Sequence, residues 1–415
     1  MTSTDRRREF GAYLASLRRH SRRSQPQLAA ALCAVSGAQS ITRNEVSRWE
    51  RGERIPDVWL PTFAQVLGVP LHELEQAAAY ARGDAQAALP GVAATLADLC
   101  PAGEALEPPT APCGRRIGAT TVEGLAARVH GLRLADDVLS GGDLIVPAFR
   151  ELHAAVRLFR ESSHSENTGR DLLVQIGELG QIAGWIASDA GRGEDAERAY
   201  RLGISAARQA GDAVLVAQLA SSLGYHLSNT GRERPGLDLA KAAVAEAGTD
   251  APAATRALFL DRVAWAHTRA GEPQSALRAL GQAHTALDTP GGAPAPSWAY
   301  WVNRQELEVM DARVLTELHR PLRAVPLLQD VLGRYDVTHT REVALYRSWL
   351  AVALADANEP EQAAEEARLV IETSGDLSSE RTAARARTVL HRLKAFEDVP
   401  EAREVLIDHG HLLLT

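Results

Sequence analysis

Apolar residues recur at three- and four-residue spacing along this chain, the periodicity of helices that bury one face. Phe10, Leu14 and Leu17 predict a helix over roughly residues 6–20, and Leu28, Ala31 and Leu32 a second that starts at Ser24. Val46 and Trp49 mark the buried side of a third, Leu60, Phe63, Ala64 and Leu67 a fourth, and Leu71, Leu74 and Ala78 a fifth. Pro26 stands in the first turn of the second helix, where its missing N–H costs little. Gly52 suits a left-handed stop after the third, and Pro56 blocks any continuation. The expectation is a compact all-α module followed by more helices.

The third helix is the most specific of these. Thr42 is a good N-cap and Glu45 follows three residues on, so a reciprocal capping box is expected, with Ile41 and Val46 as a hydrophobic staple. The capping role removes Glu45 from the residues free to meet a partner. Arg43, Asn44, Ser47, Arg48 and Arg51 are left for the other faces.

Ser24-Gln25, Leu28-Ala29, Val46-Ser47-Arg48-Trp49-Glu50-Arg51-Gly52, Pro56 and Leu67-Gly68-Val69 resemble the Cro/C1 (XRE) type of helix-turn-helix, over residues 6–82. The resemblance implies that the helix after Thr42 lies in the major groove of a double-stranded DNA operator, with Arg43 and Asn44 reaching base edges and Gln25 anchoring to phosphate. It also implies an ion pair between Arg18 and Glu50. The interval from Leu28 to Val46 is longer than the family pattern, through residues 33–40, so either the second helix extends or the turn lengthens.

Charge changes the picture further. Residues 1–54 hold 11 Arg against 5 Asp plus Glu, whereas the whole chain carries −8. A basic head on an acidic body confines attraction for phosphate to one end. Arg6, Arg7, Arg8, Arg22, Arg23 and Arg54 join the candidate DNA contacts, alongside Thr42, Ser47, Arg48 and Arg51 from the third helix; for any one arginine the alternative is a solvated helix end.

Residues 85–118 are rich in Pro and Gly and read as a semi-extended linker between a domain at 1–84 and a second at 119–415. The second domain repeats. Aligned on Gly191, Gly231, Gly271, His319 and Asn358, it carries a small residue five positions after each turn (Ala196, Gly236, Ala276, Ala324, Ala363) and another seven before (Gly184, Gly224, Ala264, Ala312, Ala351). Stacked helical hairpins need small side chains at fixed points in every unit. Residues 121–160 and 378–411 read as additional terminal units. The pattern resembles the tetratricopeptide repeat with a longer period, which implies a right-handed superhelix whose first helices line a concave groove.

By that frame Gln181, Trp185, Tyr225, Asn229, Asp261, Trp265 and Arg269 line the groove, where aromatics among polar groups would take a peptide, small molecule or protein effector. The alternative is that the aromatics pack between repeats. Trp298, Tyr300 and Trp301 either wall the groove or cap their helix.

No phosphate loop or nucleophile motif is found, and no metal or cofactor site is expected. His409 and His411 are too sparse for a metal, and Cys33, Cys100 and Cys113 give no disulfide framework. No stretch is long and apolar enough to span a membrane, and the Arg-rich start does not read as a signal peptide. The expectation is a non-enzymatic, cytoplasmic bacterial regulator acting as a homodimer, similar in domain order to actinomycete and peptide-pheromone-responsive regulators. The alternatives are a scaffold for a protein such as a sigma or anti-sigma factor, and a ligand-independent repressor.

Overall fold

A computed structural model describes residues 3–21, 23–84, 100, 106, 115–289, 293–334, 340–375 and 379–414. The chain forms two units, Met1–Asp98 and Leu99–Thr415. Among the described residues the regular structure is helical, apart from one isolated β-bridge between Arg116 and Ser163.

The first unit comprises α1 (Ser3–His20), α2 (Gln25–Ser36), α3 (Arg43–Glu50), α4 (Leu60–Leu67) and α5 (Leu71–Arg82). Their apolar stripes meet in one core containing Phe10, Leu14, Leu28, Leu32, Val46, Trp49, Phe63 and Leu74. Trp49 packs edge-on to Phe63, with ring centroids 5.6 Å apart. Helix α1 comes so close to the end of α3 that a Cβ on Gly11 would lie 2.5 Å from the Glu50 carbonyl oxygen. The segment 33–40 resolves both ways: α2 continues to Ser36, Gly37 ends it at φ 71°, and residues 38–42 form the turn.

One local expectation is corrected. The capping box on α3 is half formed, because the Glu45 backbone N–H donates to Thr42 Oγ1 at 3.3 Å while the Glu45 carboxylate turns to Arg48. A nearby guanidinium competes for that carboxylate more strongly than a neutral amide. The reciprocal box forms instead on α2, between Ser24 and Gln27.

The second unit is an array of helical hairpins. It comprises α6 (Ala119–Asp136) with α7 (Gly141–Glu161), α8 (Glu166–Asp189) with α9 (Gly193–Ala210), and α10 (Ala213–Asn229) with α11 (Glu233–Ala247). Then come α12 (Ala253–Arg269) with α13 (Pro273–Asp288), α14 (Arg304–Glu317) with α15 (Pro321–Arg334), α16 (Thr340–Asp356) with α17 (Pro360–Gly375), and α18 (Glu380–Leu393) with α19 (Pro400–His409). The five inter-helix turns read from the sequence are the positions of left-handed backbone, from φ 52° at His319 to φ 81° at Gly231. The small residues of the frame sit where backbones touch: a Cβ on Gly224 would lie 2.8 Å from the Gly236 carbonyl oxygen, and Ala264, Ala276, Ala324, Ala351 and Ala363 are buried.

Two residues of the stretch 85–114 are described, and both are buried. Leu106 is buried in the core around α6 to α8, and Cys100 is also buried, with its carbonyl accepting from Arg208 at 2.9 Å.

The array curls until its ends meet. Arg341 on α16 reaches the C-terminal end of α6, donating to Asp136 Oδ1 at 3.1 Å and to the Leu139 carbonyl at 3.1 Å. Asp189, at the end of α8, accepts from Gly141 N–H at 2.9 Å and from Ser379 Oγ at 3.0 Å. Tyr300 adds a hydroxyl contact to Asp137 at 2.6 Å. Charged and polar side chains therefore join units more than 150 residues apart.

Candidate functional site

In the first unit, burial of Val46 and Trp49 turns Arg43, Asn44 and Arg48 outward. What holds α3 in place is Glu50. Its carboxylate accepts from Arg18 Nε at 2.6 Å, Arg18 Nη2 at 3.1 Å and Gln25 Nε2 at 2.7 Å, so one side chain ties α1, α2 and α3 together. Both partners are charged and the pair is bidentate and largely shielded, the arrangement in which an ion pair contributes more than at an open surface. Glu50→Ala is expected to destabilise the seating of α3 by about 1–3 kcal/mol. Faster amide hydrogen exchange over residues 43–50 measures it; unchanged exchange would show that packing alone fixes the helix.

The structure sorts the candidate DNA contacts. Arg43, Asn44 and Arg54 are exposed, and their side chains make no hydrogen bond or ion pair among the described residues. Thr42 is exposed but accepts the capping bond. Arg48 pairs with Glu45 at 3.2 Å, and Arg51 pairs with Glu53 at 2.8 Å and donates to Ser47 Oγ at 3.0 Å. Two others are engaged inside the fold. Arg23 donates to the Val66 carbonyl at 3.0 Å, closing the end of α4, and Gln25 is spent on Glu50. Arg6 lies over the Tyr80 ring, whereas Arg7 and Arg8 are exposed. Arg22 lies outside the described residues.

In the second unit the interior holds two adjoining cavities of about 280 and 370 Å³. Gln181 and Asp261 line the first, Asn229 and Arg269 the second, and Trp185, Tyr225 and Trp265 stand between and line both. These aromatics come from successive repeats at the same register, and that is why they meet: Trp185 stacks on Tyr225 at 5.8 Å and Tyr225 lies 6.1 Å from Trp265. Packing between repeats and lining the interior are thus the same arrangement. Trp298, Tyr300 and Trp301 all wall the first cavity, and Trp298 is buried.

Sequence reasoning missed Arg262, Arg381 and Arg385. The aromatic faces are occupied by guanidiniums: Arg262 lies 4.9 Å from the Tyr225 centroid and 5.4 Å from that of Trp185. Arg313 lies 4.7 Å from the Trp265 centroid, Arg381 5.2 Å from Trp185, and Arg385 3.5 Å from Trp349. Arg313 heads the same column as the aromatics, one repeat further on, so the register carried the signal. Arg262 sits one residue past the Asp261 position.

Burial dominates the titration of this interior. It pushes the Asp261 carboxyl up to about 7 despite Arg313 and Arg262, and the Glu306 carboxyl up to about 7 despite Arg313. Tyr225 goes the other way: burial raises its hydroxyl, but Arg313, Arg381 and Arg262 outweigh it and bring it down to about 8.

A family model described as a helix-turn-helix domain matches residues 9–77, the region of α1 to α5. No curated protein matches the chain.

Proposed function

We propose that this chain is a sequence-specific transcriptional regulator in which the helix-turn-helix unit reads DNA and the curled helical array is a sensor. The observation that carries the DNA-reading part is the outward, unpaired presentation of Arg43 and Asn44 at the N-terminal end of a helix seated by Glu50. The first turn of a recognition helix is where side chains reach base edges, Arg to guanine and Asn to adenine. The aromatic–arginine interior supports a sensing role, because its two cavities offer a ligand apolar walls and a few polar groups. The regulator acts by binding rather than by catalysis, in the bacterial cytoplasm and as a homodimer whose two heads meet half-sites about one helical turn apart. Occupancy of the interior shifts the array between states of different operator affinity. No helix among the described residues is long and apolar enough to cross a membrane, which is compatible with this location.

Electrophoretic shift of the full chain on DNA from its own promoter region tests the reading. The wild type is expected to bind specifically, with a steep salt dependence. Arg43→Ala with Asn44→Ala should weaken specific binding by about thirtyfold or more, since each base contact accounts for about 1–3 kcal/mol. Specific binding that survives the double substitution would overturn the assignment.

A further inference from the structure

Not every guanidinium in the interior of the array has an ion pair of its own among the described residues. Around the first cavity, Arg133 pairs with Glu178 at 3.3 Å, and Arg341 pairs with Asp136 at 3.1 Å and with Glu342 at 2.8 Å. Asp137 is held by the Tyr300 hydroxyl. Three guanidiniums then remain, on Arg262, Arg313 and Arg381, and none has a carboxylate within ion-pair distance among the described residues. Arg262 is 5% exposed, yet it makes no hydrogen bond and its Nη1 has no partner. Arg313 has only the Tyr225 hydroxyl, and its Nε is unpartnered. Buried Asp261 and half-buried Glu306 are the remaining carboxyls of the lining, and burial raises both from the ordinary carboxyl range to about 7. The same Arg313, Arg381 and Arg262 outweigh burial at the Tyr225 hydroxyl and lower it to about 8.

Buried guanidiniums that share an aromatic ring without an anion are unfavourable, and an incoming anion relieves that cost. The walls say what the anion is attached to. Trp298, Trp301 and Met310 also line the cavity, and no arginine lies over either of these two indoles among the described residues, so a flat apolar body has ring surface to pack against beside the guanidinium-covered Trp185, Tyr225 and Trp265. The first cavity is of small-molecule size: at about 280 Å³ it lies near the lower end of the ~300–1,000 Å³ of such sites.

Resting on the sensor reading above, we propose that the interior cavity binds a small aromatic carboxylate, with the acid group taken by Arg262 and Arg313 and the ring held by the tryptophans. Guanidinium is suited to this because its planar fork meets a carboxylate with two parallel hydrogen bonds while a face stays on an aromatic ring.

The test uses the full chain and probes that share one skeleton and differ in charge: indole-3-acetic acid, indole-3-acetamide and tryptamine, with 2-naphthoic acid and 2-naphthamide as a second skeleton. Calorimetric titration at pH 7 should show at least one acid binding tenfold or more tightly than its amide, with tryptamine weakest. Arg262→Gln should lose that preference at least tenfold, and Arg262→Lys should keep part of it. Where Arg262→Gln loses its helical circular dichroism, Arg381→Gln on the cavity rim serves as the second variant, with a smaller loss expected. Equal binding of acid and amide, tighter binding of the amine, no binding by either acid, or an unchanged preference in a folded variant each overturns the proposal. A shift assay on the promoter DNA runs in parallel. Loss of DNA binding by the unliganded wild type would sink the regulator reading while leaving the charge preference intact, so the two failures are distinguishable.

Discussion

Arg341→Ala should destabilise the helical array by about 3–5 kcal/mol, the cost of stripping a buried ion pair of one partner. Arg341 is 5% exposed and serves several acceptors at once: Asp136 Oδ1 at 3.1 Å, the Asp136 carbonyl at 2.6 Å, the Leu139 carbonyl at 3.1 Å and Glu342 at 2.8 Å, with Asp189 at 3.7 Å. Alanine would leave Asp136 and Asp189 buried with their positive neighbour gone. Burial already holds the Asp136 carboxyl above its ordinary value, and Arg341 is the main influence pulling it back. Without the arginine, Asp136 should take up a proton more readily, so the deficit should shrink as the pH falls. Urea unfolding followed by circular dichroism at two pH values checks both claims. Asp136→Asn serves as a control, because it leaves Arg341 with Glu342 and Asp189 and should cost less. A loss below about 1 kcal/mol in Arg341→Ala would show that the ends of the array are held by packing alone.

How much of this was legible in the sequence follows from which forces are local. The turns at Gly191, Gly231, Gly271, His319 and Asn358 could be read because a left-handed stop and a close helix crossing each demand a residue type at a fixed offset. The structure has positive φ at all five. Column positions such as Trp185, Tyr225 and Trp265 could be brought together for the same reason, since one register repeated through the array places equivalent side chains side by side. The closure through Arg341 and Asp136 could not. It depends on the accumulated curl of the hairpins, a sum of small rotations that no single repeat encodes. The arginine lining was hidden because Arg262 reads locally as an ordinary helix-surface cation, and only the curl makes its surroundings an interior. In the head, Arg23 and Gln25 show a related limit. Arg23 reads as a phosphate contact by charge and Gln25 by the helix-turn-helix resemblance, but what else each side chain reaches in the fold, here the Val66 carbonyl and Glu50, is not written in the local sequence.

The titration of Asp261 provides the second large effect, and its sign is opposite to that of an ion-paired carboxylate. In the unfolded chain an aspartate titrates near ~3.9. In the folded array burial raises Asp261 to about 7; Arg313 and Arg262 pull it down, and Asp311 and Glu306 push it up. Between these values the native state holds a proton that the unfolded state has released, so Asp261 lowers stability progressively as the pH rises from about 4 to about 7, and the loss is complete above that. Three pH units correspond to about 4 kcal/mol. Asparagine has the shape of the neutral form and does not titrate. Asp261→Asn should therefore gain on the wild type by up to about 4 kcal/mol between pH 4 and pH 8, and the gain should level off above pH 8. His267 and His226 bias the absolute stability the other way, because burial lowers both imidazoles and makes the fold more stable as the pH climbs toward their ordinary range. Both histidines are present in both proteins, so their contribution cancels in the difference. Urea melts of the two proteins at matched pH values measure it. A difference that stays constant from pH 4 to pH 8 would show that the Asp261 carboxyl ionises normally inside the array, and that the positive charge of Arg262 and Arg313 is already neutralised there.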